Sequence, residues 1–146
     1  MDVAAQNGDQ LRNGLVRVSG EFEGMPGDIA RGRELARRFL ARVRAEQGPL
    51  VSDRATDLVQ LVVSELLTNA CKYAPGPSLV DLELAEDRVE VTVWDSDPVL
   101  PVAETTDPGR IGRHGLEIVM AVCQSFEVHR EPVGKRMRAA VRLADA

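Results

Sequence analysis

The sequence predicts an α+β fold, a two-layer sandwich in which a mixed, largely antiparallel sheet carries about three helices on one face. Segments with period-two alternation are joined by short links, which favours antiparallel neighbours, and segments with helical spacing of apolar residues separate them. The length of 146 residues is typical of one domain. We therefore expect a flexible N-terminal tail over residues 1–14 and one folded domain over residues 15–146.

Composition and charge exclude several classes of protein. The chain is 44% hydrophobic and only 3% aromatic, which predicts an aliphatic core, and its net charge of -5 would repel a nucleic-acid backbone. It holds no apolar run of the ~18 residues that a bilayer span requires, so we expect a cytoplasmic protein with no membrane or direct nucleic-acid partner. Cys71 and Cys123 each lie in an apolar helical pattern, which argues against a disulfide framework or a zinc site.

The first half of the domain is predicted to contain one strand and two helices. Leu15 to Phe22 alternates as a half-buried strand, and a helix follows from about Pro26 to about Gln47. One side of that helix carries Arg31, Arg37, Arg38, Arg42 and Arg44, which fits either a solvated face or a docking surface for an acidic partner. Ser52 is an N-cap for a second helix that runs to about Tyr73 and ends before a proline-rich turn.

The second half is predicted to contain two hairpins separated by a loop and a helix. Leu79 to Leu84 and Val89 to Asp95 alternate with a short link between them. Residues 97–111 carry three prolines and no regular period, so we interpret them as a candidate lid. A third helix follows over roughly 115–124, and strands follow near 126–129 and 136–143, the last with Met137, Ala139, Val141 and Leu143 on its inward side.

Polar residues interrupt the core-facing stripe of the second helix. Glu65, Asn69, Lys72 and Tyr73 are spaced by four, three and one residues, which places them on one helical face that also carries Leu58 and Val62. A buried carboxylate or amide is costly without a partner, so this pattern indicates a wet cleft or a ligand. The alternative is that the charged members reach solvent near the helix end.

Two further segments carry groups suited to a nucleotide. Asp95 keeps the phase of Val89, Val91 and Val93, so its carboxylate is predicted to point to the helix-covered side, where it can accept a hydrogen bond from an amino group. A surface aspartate in a turn is the alternative. Gly112-Arg113-His114-Gly115 precedes the apolar helix that begins at Leu116, and free N–H groups at a helix start attract phosphate.

These three segments together resemble the GHKL ATPases, the Bergerat-type, histidine-kinase-like superfamily. The segment from Glu65 to Tyr73 resembles the N box of these proteins, Asp95 the aspartate that opens their G1 box, and residues 112–115 their G2 box. The segment Val63 to Ala70 and the dipeptide Trp94-Asp95 are most similar to short actinobacterial regulators related to anti-sigma-factor serine/threonine kinases. The similarity spans residues 29 to 143 and implies the Bergerat ATP-binding fold.

The resemblance also implies roles for individual residues. Asn69 would bind Mg²⁺ that bridges the ATP phosphates, Asp95 would bind the adenine amine, and Glu65 would be the general base. The remaining residues would hold the nucleotide: Lys72, Tyr73, Gly112, Arg113, Gly115 and Leu116. One departure concerns the G1 box, where glycines normally stand two and four residues after the aspartate; here Asp97 and Val99 occupy those positions, which predicts weaker ATP binding.

Three functions are compatible with these residues. The first is a regulatory serine/threonine kinase that phosphorylates a STAS-type anti-sigma-factor antagonist, also holds a sigma factor, and forms a homodimer through its sheet. The second is a non-catalytic module in which nucleotide only shapes a partner-binding surface, or is absent. The third is the catalytic domain of a sensor histidine kinase, which ranks last because neither His114 nor His129 lies on a helix preceding Asn69.

Overall fold

The computed structural model describes residues 10–12, 15–47, 51–73, 76–96 and 114–144. In chain order the elements are β1 (Gln10–Arg12), β2 (Leu15–Phe22), α1 (Asp28–Gln47), α2 (Asp53–Tyr73), β3 (Ser78–Ala85), β4 (Arg88–Asp95), α3 (His114–Val122), β5 (Ser125–Arg130) and β6 (Lys135–Arg142). The predicted α+β architecture is confirmed. Among the residues described, no helix combines the length and apolar character that crossing a bilayer requires.

The strands form one six-stranded sheet in the order β1-β2-β3-β4-β6-β5. Every pairing between described strands is antiparallel, so the sheet contains no parallel pair in this part of the chain, whereas the sequence predicted a mixed sheet. The order places β4 between β3 and β6, with β5 at the edge outside β6. Short links join β1 to β2, β3 to β4 and β5 to β6 as antiparallel hairpins. The pairs β2–β3 and β4–β6 are instead connected through segments that contain helices.

The three described helices cover one face of the sheet. Alternation directs one side of β3, β4 and β6 inward, where Val80, Leu82, Leu84, Val89, Val91, Val93, Met137, Ala139 and Val141 are all buried. Helix α2 packs between α1 and α3 and against β4 and β6. Gly32 allows α1 and α2 to approach closely, because a Cβ there would lie 2.3 Å from the Leu67 side chain. The core is therefore aliphatic, as the composition predicted.

The second helix begins as its sequence predicts. The backbone N–H of Ala55 donates a hydrogen bond of 3.0 Å to Oγ of Ser52, so Ser52 is the N-cap of α2. At its other end α2 stops at Tyr73, directly before the predicted proline-rich turn. The helix that carries the candidate site is thus fixed by its cap at one end and stops at the predicted breaker at the other.

One strand was not predicted from the sequence. Residues Gln10–Arg12 pair with β2, with Arg12 opposite Leu15, although residues 1–14 were predicted to form a flexible tail. Three residues are too few to show a period of two. The Asn13-Gly14 dipeptide between the strands is nevertheless the sequence typical of a two-residue hairpin loop, and it was the available signal.

Candidate functional site

The candidate site consists of residues on α2, at the end of β4 and at the start of β6. Helix α2 contacts both β4 and β6, and α3 packs beside it. The polar face predicted on α2 is carried by its C-terminal half, between Glu65 and Tyr73. The last residue of β4, Asp95, and the first residue of β6, Lys135, are cross-strand neighbours at the same end of the sheet.

Asn69 is the most informative residue on α2. Its side chain is buried, with 4% of its surface exposed, and its Oδ1 atom finds no hydrogen-bond partner among the residues that the structure describes. A buried carbonyl oxygen without a partner costs about 1–3 kcal/mol, so a ligand, ion or water that binds it is favoured. An amide oxygen is also a ligand that Mg²⁺ accepts, and Mg²⁺ usually takes only one or two protein ligands besides water and phosphate oxygens. The site therefore fits a magnesium-bound phosphate group.

Glu65 lies one turn before Asn69 on the same face of α2. Its side chain is half-buried, so the carboxylate is neither in the core nor fully in solvent. Side chains four residues apart on a helix have Cβ atoms about 5–6 Å apart. A carboxylate at this distance from the Asn69 amide can contact a hydroxyl group that approaches a phosphate held there.

The sequence left open whether the charged residues at the end of α2 bind a ligand or only reach solvent, and the structure answers this for Lys72. Lys72 is exposed and lies in the last turn, where a positive charge interacts favourably with the helix dipole. The surface reading therefore accounts for Lys72 without a ligand. Tyr73 is the last residue of α2, and its side chain lies outside the described part of the structure. Contacts of either residue with phosphate stay predictions.

Asp95 lies where the period of β4 predicted it, on the helix-covered side of the sheet. Its side chain is fully buried, which excludes the alternative of a surface aspartate in a turn. Oδ2 of Asp95 lies 2.6 Å from Nζ of Lys135, whose side chain is 1% exposed. The predicted base-recognition carboxylate is thus half of a buried ion pair.

Sequence analysis missed Lys135. The alternation of β6 carried the signal, because Lys135 has the same phase as the inward residues Met137, Ala139 and Val141. The strand was predicted to begin one residue later, at Arg136, which left Lys135 outside it. Pairing of Asp95 with Lys135 also requires the register between strands forty residues apart, which local patterns do not contain.

The predicted phosphate-binding segment is described only in part. Gly112 and Arg113, together with the candidate lid at 97–111, lie outside the described residues. Gly115 and Leu116 fall in the first turn of α3, whose backbone N–H groups have no partner within the helix and favour anions. The side chain of Leu116 is buried in the core, so only its backbone is available to a ligand.

The opposite face of the sheet also carries charged and apolar groups. It carries ion pairs such as Arg17 with Asp81, whose Nε and Oδ1 atoms are 2.8 Å apart. At the end of β4 there is also a hollow of about 490 Å³, whose lining includes Leu79, Trp94, Asp95 and Val133. Trp94 lies on β4 out of phase with Asp95, and therefore on the outer face.

Both cysteines are free thiols and partly buried. Burial raises the pKa of Cys123 to about 11, and burial is also the main cause of the raised pKa of Cys71. Raised values favour the neutral thiol, which neither attacks as a nucleophile nor binds metal. The two cysteines therefore behave as small apolar side chains.

Comparison with known proteins shows the following similarities. The family described as "Histidine kinase-like ATPase domain" matches residues 25–141, whereas no curated protein matches the sequence. Among solved structures, the histidine kinase domain from the Erythrobacter litoralis EL346 blue-light activated histidine kinase is 19% identical, with a TM-score of 0.48 and coverage of 76% of this chain and 60% of that chain. The Acinetobacter baumannii histidine kinase AdeS is 13% identical, with a TM-score of 0.46 and coverage of 93% and 70%.

Proposed function

Because the chain belongs to the histidine kinase-like ATPase domain family, a family of ATP-binding regulators, we propose that it is an anti-sigma factor with serine/threonine kinase activity. Its substrate would be a STAS-type anti-anti-sigma protein, and a sigma factor would be a second protein partner. The observation that carries the proposal is the buried Oδ1 atom of Asn69 on α2, which has no hydrogen-bond partner among the described residues.

Three residues of the site each have one task in the proposed kinase reaction. Asn69 holds Mg²⁺ through Oδ1, Asp95 accepts a hydrogen bond from the adenine amine, and Glu65 accepts the proton of the attacking serine hydroxyl. Bound Mg²⁺ supplies neutralisation of the phosphate charge. The protein contributes mainly positioning, which is the dominant requirement in phosphoryl transfer. The one-turn spacing of Glu65 and Asn69 supports this assignment, because base and metal ligand then face the same phosphate.

A kinase assay tests the proposal. The protein is incubated with labelled ATP, Mg²⁺ and candidate STAS proteins, beside Glu65→Gln and a matched control, Glu46→Gln, which alters an exposed glutamate on α1. We expect acid-stable label on a serine or threonine of one STAS protein. Glu65→Gln should lower the rate by about 10²- to 10⁴-fold, whereas the control should leave it unchanged. Absence of transfer to every candidate would contradict the kinase assignment.

A second function is favoured by one observation on the sequence. Asp97 and Val99 stand where the resemblance implies glycines, and side chains there oppose close approach of the backbone to nucleotide. We propose as the alternative a partner-binding module whose surface is gated by nucleotide without phosphoryl transfer. Thermal unfolding with MgATP and MgADP distinguishes a working site from a degenerate one. Occupancy at 100 times the dissociation constant stabilises a fold by about 2.7 kcal/mol, and a flat response would show a degenerate site.

A further inference from the structure

Lys135 is an unusual residue for its position. It is among the largest fully buried side chains of the described structure, and it lies on the inward side of β6. Lysine is almost never fully buried unless its ammonium is paired. Here the pairing partner is the cross-strand neighbour Asp95, at 2.6 Å. The ion pair therefore forms one complete rung of the central β4–β6 ladder.

The position of this rung connects it with the candidate nucleotide site. The next inward-facing pair along the ladder joins Val93 to Met137, and both of these side chains are fully buried and apolar. The inner surface thus changes from apolar to ionic at the single rung where β4 ends. A buried ion pair is a poor source of stability, since a well-packed apolar pair is often equal or better. Folding alone does not explain why this rung is charged.

The chemistry of the pair matches one edge of a purine. An ionised carboxylate only accepts hydrogen bonds, through four lone-pair sites, and an ammonium only donates, through three N–H groups. The ion pair itself uses one lone-pair site of the carboxylate and one N–H group of the ammonium. On adenine the 6-amino donor stands directly beside N1, an acceptor. A carboxylate and an ammonium side by side therefore present the complementary order of acceptor and donor.

We propose that Lys135 is a second base-recognition residue, which donates a hydrogen bond to N1 of adenine while Asp95 accepts one from the 6-amino group. This inference rests on the proposed ATP site and extends it from one contact to two. It assigns the site to 6-aminopurine nucleotides. Hypoxanthine reverses both groups, so that its keto oxygen would face the carboxylate and its N1–H the ammonium, and a site built of buried hydrogen-bonding groups rejects such an analogue strongly.

The test compares two nucleotides on two proteins by calorimetric titration. MgATP is compared with the magnesium complex of 1-deaza-ATP, in which a C–H replaces N1, on the wild type and on Lys135→Met. We expect the wild type to bind ATP about 10- to 100-fold more tightly than 1-deaza-ATP, as is typical for a hydrogen bond to a charged group. Lys135→Met should bind the two nucleotides equally and more weakly than the wild type binds ATP.

Other outcomes have distinct meanings. A variant that weakens both nucleotides but keeps the wild-type ratio would show that Lys135 only supports Asp95, and would overturn the inference. Tighter binding of both nucleotides by Lys135→Met would show that the ammonium blocks the base, and would overturn it too. If the wild type binds the two nucleotides equally and measurably, the inference about Lys135 is wrong and the proposed ATP site stands. If the wild type binds neither nucleotide, the inference and the proposed ATP site are both wrong.

A measurement on the wild type alone covers the case in which Lys135→Met does not fold. Accepting a hydrogen bond moves the ¹⁵N resonance of a ring nitrogen upfield. ATP labelled with ¹⁵N in the base, bound to the wild type, should show this shift at N1 but not at N3, which serves as the internal control. A bound N1 resonance at the position of free ATP would overturn the inference.

Discussion

A Cβ atom at residue 134 would lie 1.7 Å from the carbonyl oxygen of Asp95, so Gly134 packs its bare backbone against the last residue of β4. Gly134 also has a φ of +77°, a conformation that L side chains rarely adopt. It directly precedes Lys135. The turn between β5 and β6 therefore holds both members of the buried ion pair in place through backbone contact.

We expect Gly134→Ala to destabilise the fold by about 3 kcal/mol or more. The cost of the strained φ and the cost of overlap between the new Cβ and backbone atoms are both included in this value. Urea unfolding followed by circular dichroism measures the change. Gly27→Ala is the matched control, since the Cβ there would meet only the guanidinium end of exposed Arg31 and no backbone atom. The control should lose less than about 1 kcal/mol. Equal stability of the two variants would show that the turn does not pack as described.

Asn69→Leu should weaken the binding of MgATP without lowering the stability of the fold. Replacing a buried oxygen that lacks a partner in the described structure by an apolar group of similar shape should leave the free energy of unfolding unchanged or raise it by up to about 1 kcal/mol. Affinity for MgATP should fall at least about tenfold, because the metal ligand is lost. Urea unfolding and calorimetry measure the two effects. A large loss of stability with affinity retained would show that Asn69 serves the fold.

Ser52→Ala should weaken α2 by removing its N-cap. The side-chain acceptor for the N–H of Ala55 is lost, which costs about 1 kcal/mol of unfolding free energy. Ser52→Asp keeps an acceptor at the same position and is the control, with an expected change of a few tenths of a kcal/mol. Chemical denaturation of both variants gives the comparison, and an Ala variant as stable as the Asp variant would exclude the cap.

The raised pKa of Cys123 predicts a distinctive pH dependence of alkylation. In Cys71→Ser, where Cys123 is the remaining thiol, the iodoacetamide rate should increase tenfold per pH unit up to about pH 11. The same chain in urea should reach its plateau near the ordinary value of about 8.5. Since the folded pKa is above the unfolded one, this group's stabilising contribution is complete below about pH 8.5 and declines as pH rises toward 11. A folded-state plateau near pH 8.5 would contradict burial of the thiol.

The sequence predicted which side chains line the inner surface of this fold, because the burial of a side chain follows the period of its own helix or strand. The alternation of β4 placed Asp95 on the helix-covered side, and the spacing on α2 placed Asn69 on the core-facing stripe, as the structure has them. Lys135 was not predicted as a site residue, because a charged residue at the end of a strand is also typical of the beginning of a turn. Its burial depends on pairing with Asp95, a contact made by the tertiary register and not by local preference.

We propose that the C-terminal half of α2, the end of β4 and the start of β6 bind one nucleotide. Titration of the ¹⁵N-labelled protein with MgADP, followed by two-dimensional NMR, tests this without any variant. We predict that the largest amide shift changes fall at residues 65–73, 95 and 134–137. Unchanged spectra at millimolar nucleotide, or changes confined to Leu79, Trp94 and Val133, would contradict this binding site.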